Sequence, residues 1–299
     1  MPFLTVFTPA YNRAHTLGRT YASLRAQTCR DFEWLIIDDG SMDNTAELAA
    51  SWLEEENDFP IAYYHKENGG LHTAYNLAIE KMSDSVLAVC IDSDDYMPPN
   101  AVELIKNKWL AEGGEEYGGI IGLDYTVEHE LIGGSMEGHR TLNLVRFSQR
   151  KYDIRQGDKK IVCRTDLYKS VAPQKVFPGE KNFNPSYMHQ QIGQSYDFLV
   201  LNEELCTVDY QPGGMTASQF KQYLNSPNSF MEIRKQSLSH PDNSLKYKLR
   251  TYTHYAAESL LAKKYPQALR ESPDPGLMLL CTPAGIALYF LIKIKGKET

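Results

Sequence analysis

The stretch that most narrows the possible folds is Val86 to Asn100, V-L-A-V-C-I-D-S-D-D-Y-M-P-P-N. Six consecutive apolar residues, Val86 to Ile91, have the composition of a strand buried on both faces, and they run straight into three carboxylates, Asp92, Asp94 and Asp95. An ionised carboxylate at the end of a buried strand must meet water, a cation or a ligand, because an unpaired charge in an apolar interior is too costly. In an open α/β sheet, that end of the strands is also where ligands bind. Oxygen ligands of this kind suit a hard divalent ion, Mn2+ or Mg2+, shared with substrate phosphates.

The preceding residues repeat the pattern. Phe3 to Thr8 predicts a strand that Pro9-Ala10-Tyr11-Asn12-Arg13 interrupts, before Leu17, Tyr21 and Leu24 at helical spacing. Glu33 to Ile37 predicts a second strand, ending in Asp38-Asp39-Gly40-Ser41, with Asp43 as N-cap of a helix over Ala46 to Trp52. Ile61 to His65 predicts a third, leading into Glu67-Asn68-Gly69-Gly70 and a helix with Leu71, Tyr75, Ala78, Ile79 and Met82. A proline-initiated helix with Val102, Leu104, Ile105 and Trp109 follows the acidic run. Strands alternating with helices at this spacing imply βαβ units and a mainly parallel sheet flanked by helices. The polar clusters at the strand ends then converge on one edge, although they are far apart in sequence.

Beyond residue 124 the alternation becomes irregular. After the strand predicted over Gly118 to Leu123, Lys160 to Cys163 and Phe198 to Leu201 predict further strands, separated by glycine-rich loops, in a half that completes the sheet and covers the cleft. Ser229 to Leu238 and Leu245 to Leu269 predict helices, forming a helical C-terminal extension over 226–299. Within it, Gly276 to Ile292 is an uncharged apolar run interrupted by Thr282-Pro283 and followed by Lys293, Lys295 and Lys297. Seventeen residues are marginal for a spanning helix, and a basic flank also fits a segment lying on anionic lipid.

Charge excludes one class of partner. Ser244 to Thr299 holds nine Lys/Arg and four Asp/Glu, so the chain's net −7 leaves −12 on the residues before it, which argues against nucleic-acid binding by the main body. Five scattered cysteines without a C-x-x-C pair predict neither a disulfide framework nor a thiolate zinc site, and a reducing cytoplasm is expected. The start M-P-F-L-T-V-F-T-P lacks the features of a signal peptide, so secretion by that route is not expected.

The motifs T-P-A-Y-N-R, I-I-D-D-G-S, E-N-G-G and D-S-D-D, in this order, resemble the signature of family 2 glycosyltransferases over the first 125 residues, and more weakly over the next hundred. The resemblance implies the GT-A fold, a Rossmann-like sheet that binds a nucleotide-diphosphate sugar through a D-x-D motif and a divalent cation. It implies a catalytic domain over 1–225, divided into a nucleotide-sugar half (1–124) and an acceptor half (125–225). Carried over by motif, Pro9, Ala10, Tyr11, Asn12 and Asp39 would hold the base. Asn68 and Gly69 would line the donor site, Asp92 and Ser93 would meet the nucleoside, and Asp94 the cation. Asp38 is expected to support its turn instead.

The resemblance also implies an acidic base at a helix start, which deprotonates the acceptor hydroxyl. In this chain the corresponding position falls on Pro185-Ser186, neither of which is a competent base. Glu180 and His189 are the nearest candidates, with Asp197, Glu203 and Glu204 further off. The Q-x-x-R-W signature of processive synthases is missing, which favours single addition over polymer synthesis. The expected activity is thus an inverting, metal-dependent transfer from a nucleotide-diphosphate sugar, UDP-linked, to a saccharide or lipid-linked acceptor, peripheral on the inner membrane face. A sugar-1-phosphate nucleotidyltransferase is the alternative enzyme, although Pro9 to Arg13 lacks its glycines. A catalytically silent, membrane-bound scaffold that binds nucleotide sugar is the alternative from another class. A calcium-loop reading of Asp92 to Glu103 fails at Met97, where the sharp turn needs glycine.

Overall fold

In the computed structural model, which describes residues 1–211 and 219–298, the first part of the chain alternates strand and helix. The elements are β1 (Leu4–Ala10), α1 (Leu17–Arg25), β2 (Phe32–Asp38), α2 (Thr45–Glu54), β3 (Ile61–His65), α3 (Leu71–Lys81), β4 (Leu87–Cys90) and α4 (Ala101–Glu112). All seven residues of β1 are buried, as expected for a parallel strand with helices over both sheet faces. Then come β5 (Tyr117–Thr126), the two-residue β6 (Thr141–Leu142), α5 (Leu144–Ser148), β7 (Lys159–Arg164), α6 (Thr165–Val171), α7 (Ser186–Ile192) and the long β8 (Asp197–Val208). The C-terminal part is helical: α8 (Gln219–Asn225), α9 (Pro227–Leu238), α10 (Leu245–Leu261), α11 (Tyr265–Arg270) and α12 (Pro275–Glu298).

The eight strands form one sheet in the order β3-β2-β1-β4-β7-β5-β8-β6. Strands β3, β2, β1 and β4 are parallel neighbours, whereas β7 runs antiparallel to both β4 and β5. A core of Leu4, Val6, Trp34, Ile36, Leu87 and Val89, extended by Tyr21, Trp52, Val102 and Ile105 from the helices, holds this sheet.

The residues group into two compact units. One comprises Met1–Gly69, Thr73–Gln174 and Met188–Gln211, and contains the whole sheet. The other gathers Gly70–His72, Lys175–Tyr187 and the C-terminal helices. The helical unit therefore starts upstream of residue 226, because Tyr223 of α8 packs with Ala257 and Ile292. It also takes a loop from the middle of the chain.

Local expectations are adjusted in four places. Val86 is 43 % exposed and precedes β4, which begins at Leu87. Pro9 does not end β1, because the ladder to β4 stops at Phe7 while that to β2 continues to Ala10. The single helix expected over Leu245 to Leu269 is two, broken at Lys263 in a left-handed conformation (φ 58°) and restarted with Pro266 in the first turn of α11. Pro283 lies inside a continuous α12, on its exposed side, and the neighbouring Thr282 hydroxyl donates to the Met278 carbonyl (2.8 Å).

Candidate active site

Ala10 lies opposite Asp38 and Phe7 opposite Cys90, so the segments after β1, β2 and β4 emerge on one edge of the sheet. Pro9 and Ala10 complete β1, Tyr11 is exposed, and Asn12 takes a left-handed φ of 54°. The Asn12 N–H donates to Ser41 Oγ (2.9 Å), and its Oδ1 accepts from the Met42 N–H (2.8 Å). The N–H groups of Arg13 and Ala14 donate to Thr45 Oγ1 and Asp43 Oδ2. Asp43 also accepts from Thr45, so it serves both the start of α2 and this loop. Gly40 (φ 81°) closes the turn, where a Cβ would stand 2.8 Å from the Asn68 backbone nitrogen.

The two acids after β2 have different surroundings. Asp38 is fully buried and accepts from Ser41 N–H (2.7 Å) and the Tyr63 hydroxyl (2.6 Å), with His65 Nδ1 at 3.4 Å. Burial raises its pKa, but these donors outweigh that and hold the carboxyl below the usual range. It is the turn's support. Asp39 is gripped by Lys66 Nζ (2.5 Å) and by the Gly69 N–H (2.9 Å), while Asn68 Nδ2 donates to its carbonyl (2.7 Å). Asp39, Asn68 and Gly69 thus come together as expected, and Lys66 joins them.

After β4, Asp92 is exposed, Ser93 and Asp95 are buried, and Asp94 is half-buried. Arg13 Nη2 approaches Asp94 Oδ2 to 3.6 Å, and Arg19 donates to the Asp94 carbonyl (3.2 Å) while pairing with Asp209 (2.6 Å). Burial raises the Asp94 pKa, with Asp92 and Asp209 adding to the rise and Arg13 opposing it. Asp95 turns inward and accepts from the Asp209 N–H (3.2 Å); burial pushes it up to about 7. Tyr96 and Thr207 exchange backbone bonds (3.1 and 2.8 Å), which fastens the acidic loop to the end of β8. Beneath it lies Lys160. Burial lowers its pKa, yet Asp124, Cys206, Asp95 and Asp92 more than offset this and keep it charged. This edge therefore concentrates carboxylates against few cations.

The two candidate bases group with different units. Glu180 belongs to the helical unit, where its buried carboxylate accepts from the N–H and side chain of Asn228 (2.8 and 2.6 Å) and of Ser229 (2.8 and 2.6 Å). It sits at the N-terminus of α9, where donors and the helix dipole favour a carboxylate. His189 is in the sheet-bearing unit, its Nε2 2.7 Å from the Tyr168 hydroxyl, and burial lowers its pKa to about 4, so it is neutral at pH 7. Both carboxylate oxygens of Glu180 are thus engaged, and His189 shares one hydrogen bond with Tyr168. Glu180→Gln is expected to cost the helical unit about 1.5–3 kcal/mol through the lost charged hydrogen bonds, read as a lower Tm. Turnover per folded molecule should stay within about twofold if this capping is its role, whereas a loss of 10²-fold or more would mark a base.

Arg13, Lys66 and Lys160 complete the site without having been singled out from the sequence. Lys66 had a signal, a cation directly after the last residue of β3. Lys160 had a weaker one, since it alternates in phase with buried Val162 along β7.

Residues 5–156 match the family model described as glycosyl transferase family 2. The chain is 35 % identical over 112 residues to the chondroitin synthase of Pasteurella multocida (strain Pm70), an alignment covering 38 % of this chain but 11 % of that protein. It is 32 % identical over 105 residues to the glycosyltransferase GlyA of Streptococcus pneumoniae serotype 4, covering 35 % and 15 %. The chain thus matches only a small part of the length of these relatives. The fold is similar to that of S. aureus TarS 1–349 in complex with UDP-GlcNAc (TM-score 0.63, 16 % identity, 100 % of this chain and 92 % of that one). It is also similar to the mannosyltransferase PcManGT from Pyrobaculum calidifontis in complex with GDP-Man and Mn2+ (TM-score 0.56, 19 % identity, 99 % and 84 %). The matched region contains the acidic edge built by β1, β2 and β4, and the chain belongs to glycosyltransferase family 2, with the GT-A fold.

Proposed function

We propose that this enzyme transfers a sugar from a UDP-linked donor to a hydroxyl of a saccharide or lipid-linked acceptor at the inner face of the cell membrane, inverting the anomeric centre. The observation that carries this reading is the placing of Asp39 after β2 and Asp92 and Asp94 after β4, on either side of β1. Two strand spacings separate these groups, about 10 Å, which suits a nucleoside at one end and a diphosphate at the other. The nucleotide sugars bound to TarS and PcManGT, and the Mn2+ of the latter, support the donor class and the cation.

In this reading Pro9 to Asn12, Asp39, Asn68 and Gly69 hold the base, Asp92 and Ser93 meet the nucleoside, and Asp94 would hold Mn2+ or Mg2+. Among the described residues no three acid, imidazole or thiol side chains form a complete metal site. A hard ion shared with substrate phosphates needs only one or two carboxylates from the protein. When bound, such an ion stabilises the negative charge that develops on the departing diphosphate. Arg13 stands beside Asp94, at the same end of the site. The acceptor oxygen bonds to the anomeric carbon as the bond from that carbon to the diphosphate breaks, and the hydroxyl proton passes to a base. Glu180 and His189 are the candidates, and Glu180 must exchange its present partners to serve.

Asp39→Ala is expected to weaken UDP binding by roughly 10–100-fold, the value of a lost hydrogen bond to a charged group. Calorimetric titration with UDP in the presence of Mn2+ reads this directly, and undiminished affinity would remove Asp39 from the donor site. Thermal stabilisation by a panel of nucleotide sugars with Mn2+ identifies the donor, because only a ligand that binds the folded state raises its Tm. The engagement of Glu180 and His189 favours one second reading, a silent scaffold that binds nucleotide sugar. Donor hydrolysis or transfer with Mn2+ present would exclude it.

A further inference from the structure

Helix α12 is long and apolar enough to cross a membrane, and only 22 % of its apolar stretch is buried within the protein. Its two sides differ. Met278, Cys281, Gly285, Ile292 and Gly296 share one side at about 100° per residue, and all are buried. A Cβ at Gly285 would stand 2.7 Å from that of Ala256 on α10, and one at Gly296 2.9 Å from the Phe220 carbonyl on α8. The backbone of α12 is therefore keyed into its own helical unit at two points. The opposite side bears Leu279, Leu280, Phe290, Leu291 and Ile294, all exposed, with Leu280 at 69 % and Phe290 at 58 %.

Charge marks what this face meets. No charged residue occurs between Pro275 and Ile292. On the helical wheel Lys293 and Lys295 then fall at the two margins of the exposed apolar arc, with Lys297 at its C-terminal end, and all three are exposed. Lysines at the margins of an apolar face place their ammonium groups at headgroup level while the face enters the acyl boundary.

We propose that α12 lies in the plane of an anionic bilayer and docks the enzyme through this face, without crossing the membrane. The proposal rests on, and deepens, the membrane placement given above. A crossing helix would have to leave the unit and uncover Tyr252, Tyr255 and Ala256, which it helps to bury. It would also open the bundle around Glu258, a fully buried carboxylate paired with Arg234 (3.3 Å).

The test is flotation of the full chain with vesicles of phosphatidylcholine, alone or mixed with phosphatidylglycerol. Co-flotation is expected with the mixed vesicles and not with the neutral ones, and alkaline carbonate should release the protein. Lys293→Gln, Lys295→Gln and Lys297→Gln combined should lower the partition coefficient roughly a hundredfold. Leu280→Asp with Phe290→Asp should abolish flotation while circular dichroism stays unchanged, both positions being exposed. Retention in carbonate would overturn the proposal in favour of a crossing helix, and equal flotation with both vesicle types would remove the charge recognition. A dimer in light scattering that the double aspartate variant dissociates, without flotation, would show that a second copy covers the face. UDP titration with Mn2+ in solution reports on the transferase reading separately, so either can fail without the other.

Discussion

Asp94→Asn is expected to lower kcat/KM by about 10²–10³, or roughly 3–4 kcal/mol of transition-state stabilisation. The substitution keeps the size of the side chain and removes its charge, at a position whose carboxyl is half-buried and crowded by Asp92 and Asp209. A cation bound there gains from each of these charges, and an amide is a poor substitute as ligand to a hard ion. The same variant should lose the Mn2+-dependent part of UDP affinity in calorimetry. Its Tm should hold, because Arg13 is partly exposed and its ion pair with Asp94 is worth little in water. Chelation of the wild type should reproduce the effect. Unchanged affinity for UDP with Mn2+ would remove Asp94 from the cation site.

Arg234→Ala should destabilise the helical unit by about 3–5 kcal/mol. Glu258 is fully buried on α10, and its Oε1 has Arg234 Nε at 3.3 Å and His254 Nδ1 at 3.8 Å. Without the guanidinium, the carboxylate must stay charged in an apolar bundle or take up a proton, and both cost stability. At about 4 °C per kcal/mol for a domain of roughly 100 residues, Tm should fall by roughly 12–20 °C, followed by helical circular dichroism. Pairing Arg234→Met with Glu258→Leu should restore most of this, since replacing a whole buried ion pair by packed apolar groups is often neutral. A double variant as unstable as the single one would place the effect in packing.

The acidic edge on which the donor site is proposed was legible because its signals are local. Each apolar strand is followed within a few residues by its acids or glycines, as in Ile36 to Gly40 and Val89 to Asp95. The features that escaped are long-range. Glu180 caps a helix that begins nearly fifty residues later, and no spacing rule announces such a partner. The loop that carries it reads as an acceptor-side segment, yet it packs with the helical unit. The break in the long C-terminal helix rests on the left-handed Lys263, with no glycine there to signal it, and only Pro266 marked the restart. Alternation with Val162 marks Lys160 as inward, but its charge makes sense only once Asp124, on the neighbouring β5, is known to face it.

Strand β4 pairs with β1 on one side and with β7 on the other, and these partners are made at very different times. Strand β1 precedes β4 in the chain, whereas β7 begins only at Lys159. At about 5–20 residues per second, the ribosome supplies β7 roughly 4–14 s after β4 is complete. Until then Leu87, Ala88 and Val89 lack the partner that covers this edge in the folded chain, and an uncovered edge is the kind of surface on which chains associate. Asp92, Asp94 and Asp95 follow directly, and charge beside an open edge disfavours such pairing. Two unfinished copies that paired in parallel there would bring Asp92 and Asp94 of each side by side, and like charge disfavours that pairing.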